Sequence, residues 1–526
     1  MGRVVRLFFR LLVVGGLVGG AYFAWISSFG SPAPIDLLPQ GAFGVVELHD
    51  AEDLARKLSG TRFAATFARS AAREWLERTD AMVAFDSVLS EIGRITFVSP
   101  GRGTAFDFIG TEAAVGWYGP TGGDAAAPSW VAGGRLSARA WTVATALRLG
   151  LRFGLGTMGG VTREDVAGRT LYSFPGNAGQ SLHLFLAGRV LVGGSDRSLV
   201  VKAALSVGDA SAGVTREPAL QTVRGALPEH GEFFVWVRDR STIPGALSTG
   251  LTGRGSVGAL LRAGTTMKID VAAAPASGRL AATTSGTPSP LPGIALLRQA
   301  PLFFLTSRLP APTVLTDLLQ TRRRAVAQRS PGTALPVAAL QPGSGYAVAI
   351  TDSVQGGGLF PAPRGLVVIG MASATEAARA LPLLFPLGAR SASAGGTRAL
   401  ATSESLPLAG EFELWGAAIG SQLIFASGTS LIDAAAVDAG PDVVNQPDPP
   451  AWPVSAVASI SMDKFLPLLQ RWRAPLSGLF TASWPDGPDF ARDLGLLAAI
   501  GDVRVAAGAD DRLDRAAITF SVHDLR

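Results

Sequence analysis

Cysteine is absent from the 526 residues, and lysine and histidine are each confined to four positions. Without cysteine there is no disulfide, no thiolate metal ligand, no cysteine nucleophile and no lipoprotein acylation site. The histidines at 49, 183, 230 and 523 have no mutual spacing that suits a metal centre on one helix or hairpin. Lysine stands only at 57, 202, 268 and 464, so of 46 basic residues 42 are arginine. That skew, beside abundant alanine, follows the codon usage of a GC-rich genome rather than selection for a polyanion. The pI near 9.9 therefore does not mark a nucleic-acid binder. The one arginine run outside the N-terminus, Arg322, Arg323 and Arg324 with Arg329 beyond, lacks interleaved aromatics and reads as a solvated helix end.

What is present is apolar and glycine-rich: 48% hydrophobic residues, 17% charged and 64 glycines. Such a chain is not disordered, and its length suggests about three domain-sized units with a sizeable core. At the start, Arg3, Arg6 and Arg10 precede an uncharged stretch from Leu11 to Phe29. Nineteen residues approach the roughly 20 that a helix needs to cross a bilayer. The reading is a basic cytoplasmic stub over 1–10, a transmembrane anchor over 11–29, and the bulk of the chain outside a single-pass inner membrane. A cleaved signal peptide ending near Ser28 and Gly30 is the competing reading. Gly15, Gly16, Gly19 and Gly20 form small-xxx-small pairs that would let two such helices approach in a homodimer.

Beyond the leader the chain repeats itself. LAGRVLVGGSDRSLVVKAAL matches GAAIGSQLIFASGTSLIDAAAV, with Ser195 aligned to Ser427 at a spacing of 232. A second pair aligns Ser137 with Ser373 at 236, and a third aligns the run from Val271 with the run from Val505 at 234. Two copies are therefore expected, over 36–289 and 290–526, divided near the proline-rich 286–293. The first copy carries about 27 extra residues around Trp75 to Leu89. Asp50, and Asp239 aligned with Asp463, stand where a carboxylate would cap a helix following a strand. Hairpins interrupted by single helices predict an α+β fold: a transmembrane helix, then two duplicated strand-rich units with mainly antiparallel sheets and helices packed on one face.

The opening DLLPQGAFGVVELHDAEDL, the later DFIGTEAAVGW and the GRVLVGGSDRSL hairpin resemble an uncharacterised family of membrane-anchored bacterial proteins. That family has a Leu-Pro-x-Asp-Thr opening strand and a Leu-Gly-x-Glu motif. Leu38 and Pro39 match the first motif and Ile109, Gly110 and Glu112 the second, whereas Gln40, Gly41 and Ala42 depart from it. The resemblance covers about 36–240 and implies an anchored extracytoplasmic protein, with no catalytic residue.

Chemistry is sparsely signalled. Ser461 and Lys464 have the S-x-x-K spacing of acyl hydrolases, in which a buried lysine deprotonates the serine, but the partner motifs S-D-N and K-T-G are missing. Gly154, Gly156 and Gly159 spell G-x-G-x-x-G between an expected helix and an expected strand, the wrong order for a dinucleotide site. His49 between Glu47 and Asp50 is a structural strand end, and Asp438, Asp442, Asp448 and Asn445 lack EF-hand spacing. No cofactor or metal is expected. The reading is a membrane-anchored, non-catalytic binding or scaffold module of the cell envelope. Its partners would be the bilayer, through the N-terminal helix, and an envelope protein or glycan, not nucleic acid. The alternative is a periplasmic serine hydrolase using Ser461 and Lys464.

Overall fold

The computed structural model describes residues 31–70, 73–74, 112–119, 129–137, 141, 161–175, 181–239, 255–264, 266–274, 291–299, 301–310, 312–329, 342–354, 362–406, 410–436, 452–468, 498–509 and 513–522. Alternation of buried and half-buried residues, as in Ala113–Tyr118 and Ser181–Ala187, is what a sheet with one face on a core produces. The chain divides into two units. The first takes in Met1–Ser59, Leu76–Ala263 and Val271–Ala276, and the second Gly60–Trp75, Gly264–Asp270 and Ser277–Arg526.

Nine strands build the first unit: β1 (Gly44–Leu48), β2 (Ala113–Tyr118), β3 (Ser129–Arg135), β4 (Thr162–Val166), β5 (Arg169–Pro175), β6 (Ser181–Ala187), β7 (Val190–Gly194), β8 (Phe233–Val237) and β9 (Val257–Arg262). All pairings are antiparallel, in the order β4-β5-β6-β7-β3-β2-β1-β8-β9. After β1 comes α1 (Ala51–Ser59), capped by Asp50, whose Oδ1 accepts from the Asp53 N–H at 2.8 Å. Thr61 caps a separate helix, α2 (Arg62–Phe67), whose residues fall in the second unit. Asp196 caps α3 (Arg197–Ser206), and α4 (Pro218–Arg224) opens on a proline. Trp236, Phe234, Phe185 and Leu220 form the core with Leu37 and Leu38 of a buried 3-10 turn, Pro34–Leu37, and the residue after it. β10 (Thr266–Ala273) follows β9 in the chain.

The second unit runs β11 (Phe303–Pro310), α5 (Thr313–Arg329), β12 (Pro342–Val354), β13 (Ala362–Met371), α6 (Ala374–Leu383), β14 (Arg390–Ala394), β15 (Thr397–Leu406), β16 (Gly410–Ile419), β17 (Gln422–Ala426), α7 (Thr429–Ala436), β18 (Val454–Ile460), β19 (Ile500–Ala509) and β20 (Asp514–Val522). Its antiparallel order is β14-β15-β16-β17-β13-β12-β11-β18-β19-β20. From β14 to β19 this repeats the nine-strand order of the first unit, and β20 adds a tenth strand. Its core joins Leu296, Phe304 and Ile432 to Ala347, Ala349, Ala399 and Ala417.

Hydrogen bonds fix the equivalence residue by residue. Ser195 Oγ accepts from the Trp130 N–H at 3.1 Å while its own N–H donates to the Trp130 carbonyl. Ser427 does the same with Gly365, at 3.0 and 2.9 Å. At the cap, Trp141 N donates to Ser137 O as Ala377 N donates to Ser373 O. The run from Val271 lies on β10 and the run from Val505 on β19, whose counterpart is β9, so that third pairing joined unlike strands. In the opening strands Gly44 faces Val237 as Phe303 faces Ile460, so Gly44 and Phe303 are equivalent.

The α+β expectation is corrected. Among the described residues antiparallel sheet dominates, because hairpin-linked strands satisfy one another's backbone groups along the chain and the helices only bridge between them. The expected transmembrane helix over 11–29 lies outside the described residues, as do Gly15, Gly16, Gly19, Gly20 and the insertion around Trp75 to Leu89. Among the described residues no helix is long and apolar enough to cross a membrane. The transmembrane-headed fold and the single-pass inner-membrane placement are corrected on that finding.

Candidate functional site

Polar side chains gather in the first unit where β1 meets β8. Glu47 is buried on β1, with Oε2 2.8 Å from Arg224 Nη1 on α4 and 3.4 Å from His49 Nε2. The Glu47–Arg224 approach is an ion pair outside hydrogen-bond geometry, and the Arg224 guanidinium also lies 5.3 Å from the centre of the Phe234 ring. Just before β8, Glu232 meets Lys57 of α1, whose Nζ bridges Asp53 at 2.7 Å and Glu232 at 2.6 Å. Burial works to raise the Glu232 carboxyl, but Lys57 and the Ala263 N–H hold it below the usual range. Hydrogen bonds that it donates to Asp53 and then Glu232 raise the Lys57 ammonium. Every charge here has an opposite partner, and no nucleophile stands among them.

A second seam binds the opening segment. Tyr118 Oη donates to the Pro39 carbonyl at 2.8 Å, and burial, then the Glu217 carboxylate, push its phenol upward. Glu217 accepts from the Gly41 N–H and from Arg238, each at 2.6 Å. Glu112 holds Arg135 at 2.9 Å. The described residues of the two short motifs thus perform structural work: Leu38 is fully buried, Pro39 anchors a tyrosine and Glu112 pairs an arginine. Ile109 and Gly110 lie outside the described residues.

The S-x-x-K pair is dismantled by its own geometry. Ser461 starts a helical turn over 462–468: its carbonyl accepts from the N–H groups of Lys464 and Phe465, and its N–H donates to Leu302 O at 3.0 Å. The Lys464 side chain lies in solvent, so the burial that a lysine base requires is missing. Asp463 is exposed within the turn rather than capping it. Arg238 N donates to Phe43 O as Ser461 N donates to Leu302 O, so the counterpart of Ser461 is Arg238 and the expected match of Asp239 with Asp463 is off by one. Of the arginine run, Arg322 turns inward instead of lying in solvent. It donates to Leu384 O at 2.9 Å, pairs with Glu404 at 3.0 Å and packs over Phe385.

Sequence reading missed the closest approach of a hydroxyl to an imidazole. Ser173 on β5 faces His183 on β6, and its Oγ lies 2.7 Å from Nδ1. Burial, then the Arg197 charge, lower the His183 imidazole, while Asp196 opposes them. The Ser173 hydroxyl and His183 Nδ1 share one hydrogen bond, with the ring tautomer deciding which of them donates. Asp196 is spent on the cap of α3, where it accepts from Ser198 and Leu199, and does not orient the ring as a catalytic acid would. The spacing of ten residues across a hairpin was the signal, and only strand register reveals it.

Register compares the copies. Where the first unit has Glu47, the second has Thr306, whose hydroxyl donates to Pro292 O at 2.7 Å. His49 gives way to Arg308, lowered by burial, and Glu232 to Ser455. Ser173 and His183 become Ala401 and Trp415. Among the described residues no group of three or more His, Cys, Asp or Glu could hold a metal ion. The glycines at 154, 156 and 159, the acidic loop with Asp438, Asp442, Asn445 and Asp448, and His523 lie outside the described residues.

No family model matches the chain, and no curated protein does. Two solved structures of TP0453 are similar to it. Crystal form III has 9% identity and a TM-score of 0.26, over 52% of this chain and 87% of that one. Crystal form I has 8% identity and a TM-score of 0.24, over 49% and 82%. Likeness at that level carries no argument about fold or activity.

Proposed function

We propose that this chain is a non-catalytic binding module, in which one sheet frame is used twice to present two different polar surfaces to a protein or glycan partner. One observation supports this reading above others. The framework serines Ser195 and Ser427 make the same bonds in both units, whereas Glu47, His49, Ser173, His183 and Arg238 all have chemically different counterparts. A reaction geometry tolerates no such exchange between copies, but packing and recognition do. The resemblance of 36–240 to an uncharacterised family, with no activity attached, belongs to the same proposal.

The hydrolase reading through Ser461 and Lys464 gains nothing from a solvent-exposed lysine and a serine committed to starting a helix. The test pairs two measurements on the purified full chain. A fluorescent acylating probe is expected to leave it unlabelled, and chemical crosslinking on intact cells, followed by tagged purification, is expected to recover one reproducible partner. Labelling that disappears in Ser461→Ala or Ser173→Ala would overturn the reading.

A further inference from the structure

The outer edge of the second unit's sheet carries an inference beyond the proposed function. Strand β14, Arg390–Ala394, pairs with β15 on one side, and its first four residues are exposed. The hairpin turns through Gly395 and Gly396, both at positive φ (59° and 72°), the two-residue loop whose twist suits flanking strands. In such a hairpin the residues beside the loop, Ala394 and Thr397, form a hydrogen-bonded pair, and pairs alternate along the ladder. Arg390, Ala392 and Ala394 therefore turn their backbone groups toward β15. Ser391 and Ser393 turn theirs outward, and among the described residues those groups meet no hydrogen-bond partner.

Open edges are usually guarded by charge, proline or a bulge. The equivalent edge of the first unit is guarded: β4 reads Thr162, Arg163, Glu164, Asp165, and Glu164 pairs with Arg197 at 2.5 Å. β14 has only Arg390, and that side chain is tied to Glu413 on its own sheet. Self-pairing also has one favourable register. An antiparallel partner centred on Ala392 sets Ser391 opposite Ser393 of the second copy and Arg390 opposite its Ala394, so no like charges meet. Centring β4 on Glu164 would set two carboxylates face to face, which destabilises a cross-strand pair.

We infer that β14 pairs antiparallel with β14 of a second copy of this chain, centred on Ala392, with backbone hydrogen bonds through Ser391 and Ser393. The arrangement is isologous and closed. It places the two Ala392 residues in a non-hydrogen-bonded pair, with Cα atoms about 4.5 Å apart, within the span a disulfide bridges. Two Ser391 residues are instead offset by two residues along the strand and lie beyond that span.

The cysteine-free chain makes the test direct. Full-length Ala392→Cys, under mild oxidation in a mild detergent, should form a linked dimer at least about tenfold faster than the exposed control Leu387→Cys, while Ser391→Cys should not exceed the control. Adding Ser391→Pro removes an outward N–H that the fold does not use, and should abolish linking of Ala392→Cys. Linking at the control rate would overturn the inference. So would linking that survives Ser391→Pro, because contact at Ala392 would then not be strand pairing.

Discussion

Ser195 and Ser427 each satisfy a backbone N–H within a neighbouring strand, Trp130 on β3 and Gly365 on β13. Losing one such bond costs about 1 kcal/mol. Ser195→Ala and Ser427→Ala should therefore destabilise their units by similar amounts, read as equal shifts in denaturant midpoint; a large effect at one and none at the other would show that the two sites are not alike. His183 supplies a pH dependence. Burial favours its neutral form in the folded chain, so the unfolded chain takes up the proton first as pH falls. Its stabilisation is complete above the ordinary histidine value of about 6.5 and declines as pH drops below it toward the lowered folded value. Wild-type stability should fall more steeply than that of His183→Asn between about pH 7 and pH 5, by denaturant titration at each pH. At this scale the serine match was legible because small polar residues after a hairpin are few. The Ser173–His183 contact was not, since it depends on cross-strand register.

At the scale of elements, local chemistry is the reliable guide. Asp50, Asp196 and Ser373 accept from N–H groups in the first turn of their helices. Asp196→Ala should cost about 1 kcal/mol of stability, measured by thermal unfolding, with Asp196→Asn retaining most of it. Gly396 tests the turn: its φ is +72° and a Cβ there meets nothing within 4 Å. Gly396→Val should thus lose about 1–2 kcal/mol from backbone conformation alone, and Gly396→Asn much less. Elements were misread where alanine dominates. The run from Val505 resembles the run from Val271 in composition, yet the two lie on β19 and β10. Two alanine-rich strands leave nearly the same letters, and only their partner strands separate them.

For the whole molecule, the internal duplication was visible in sequence because hairpin and cap residues recur at near-constant spacing. The strand order was not visible, since β3 pairs with β7 although 54 residues lie between the partners Arg135 and Val190 in the chain. The polar residues misled by one register step: matching Asp239 with Asp463 sets Val237 opposite Ser461, whereas strand pairing sets Arg238 there. The account's central claim is one strand order and one register used twice, and a cysteine-free chain lets paired cysteines read it. Val46 faces Val235 on β1 and β8, and Leu305 faces Ala458 on β11 and β18; both are non-hydrogen-bonded pairs, suited to a disulfide. Full-length Val46→Cys/Val235→Cys and Leu305→Cys/Ala458→Cys should each close an intramolecular bridge under mild oxidation, whereas moving the second cysteine one residue, to Trp236 or Ser459, should close neither. Closure in one unit but not the other, or closure only in the shifted pairs, would contradict it.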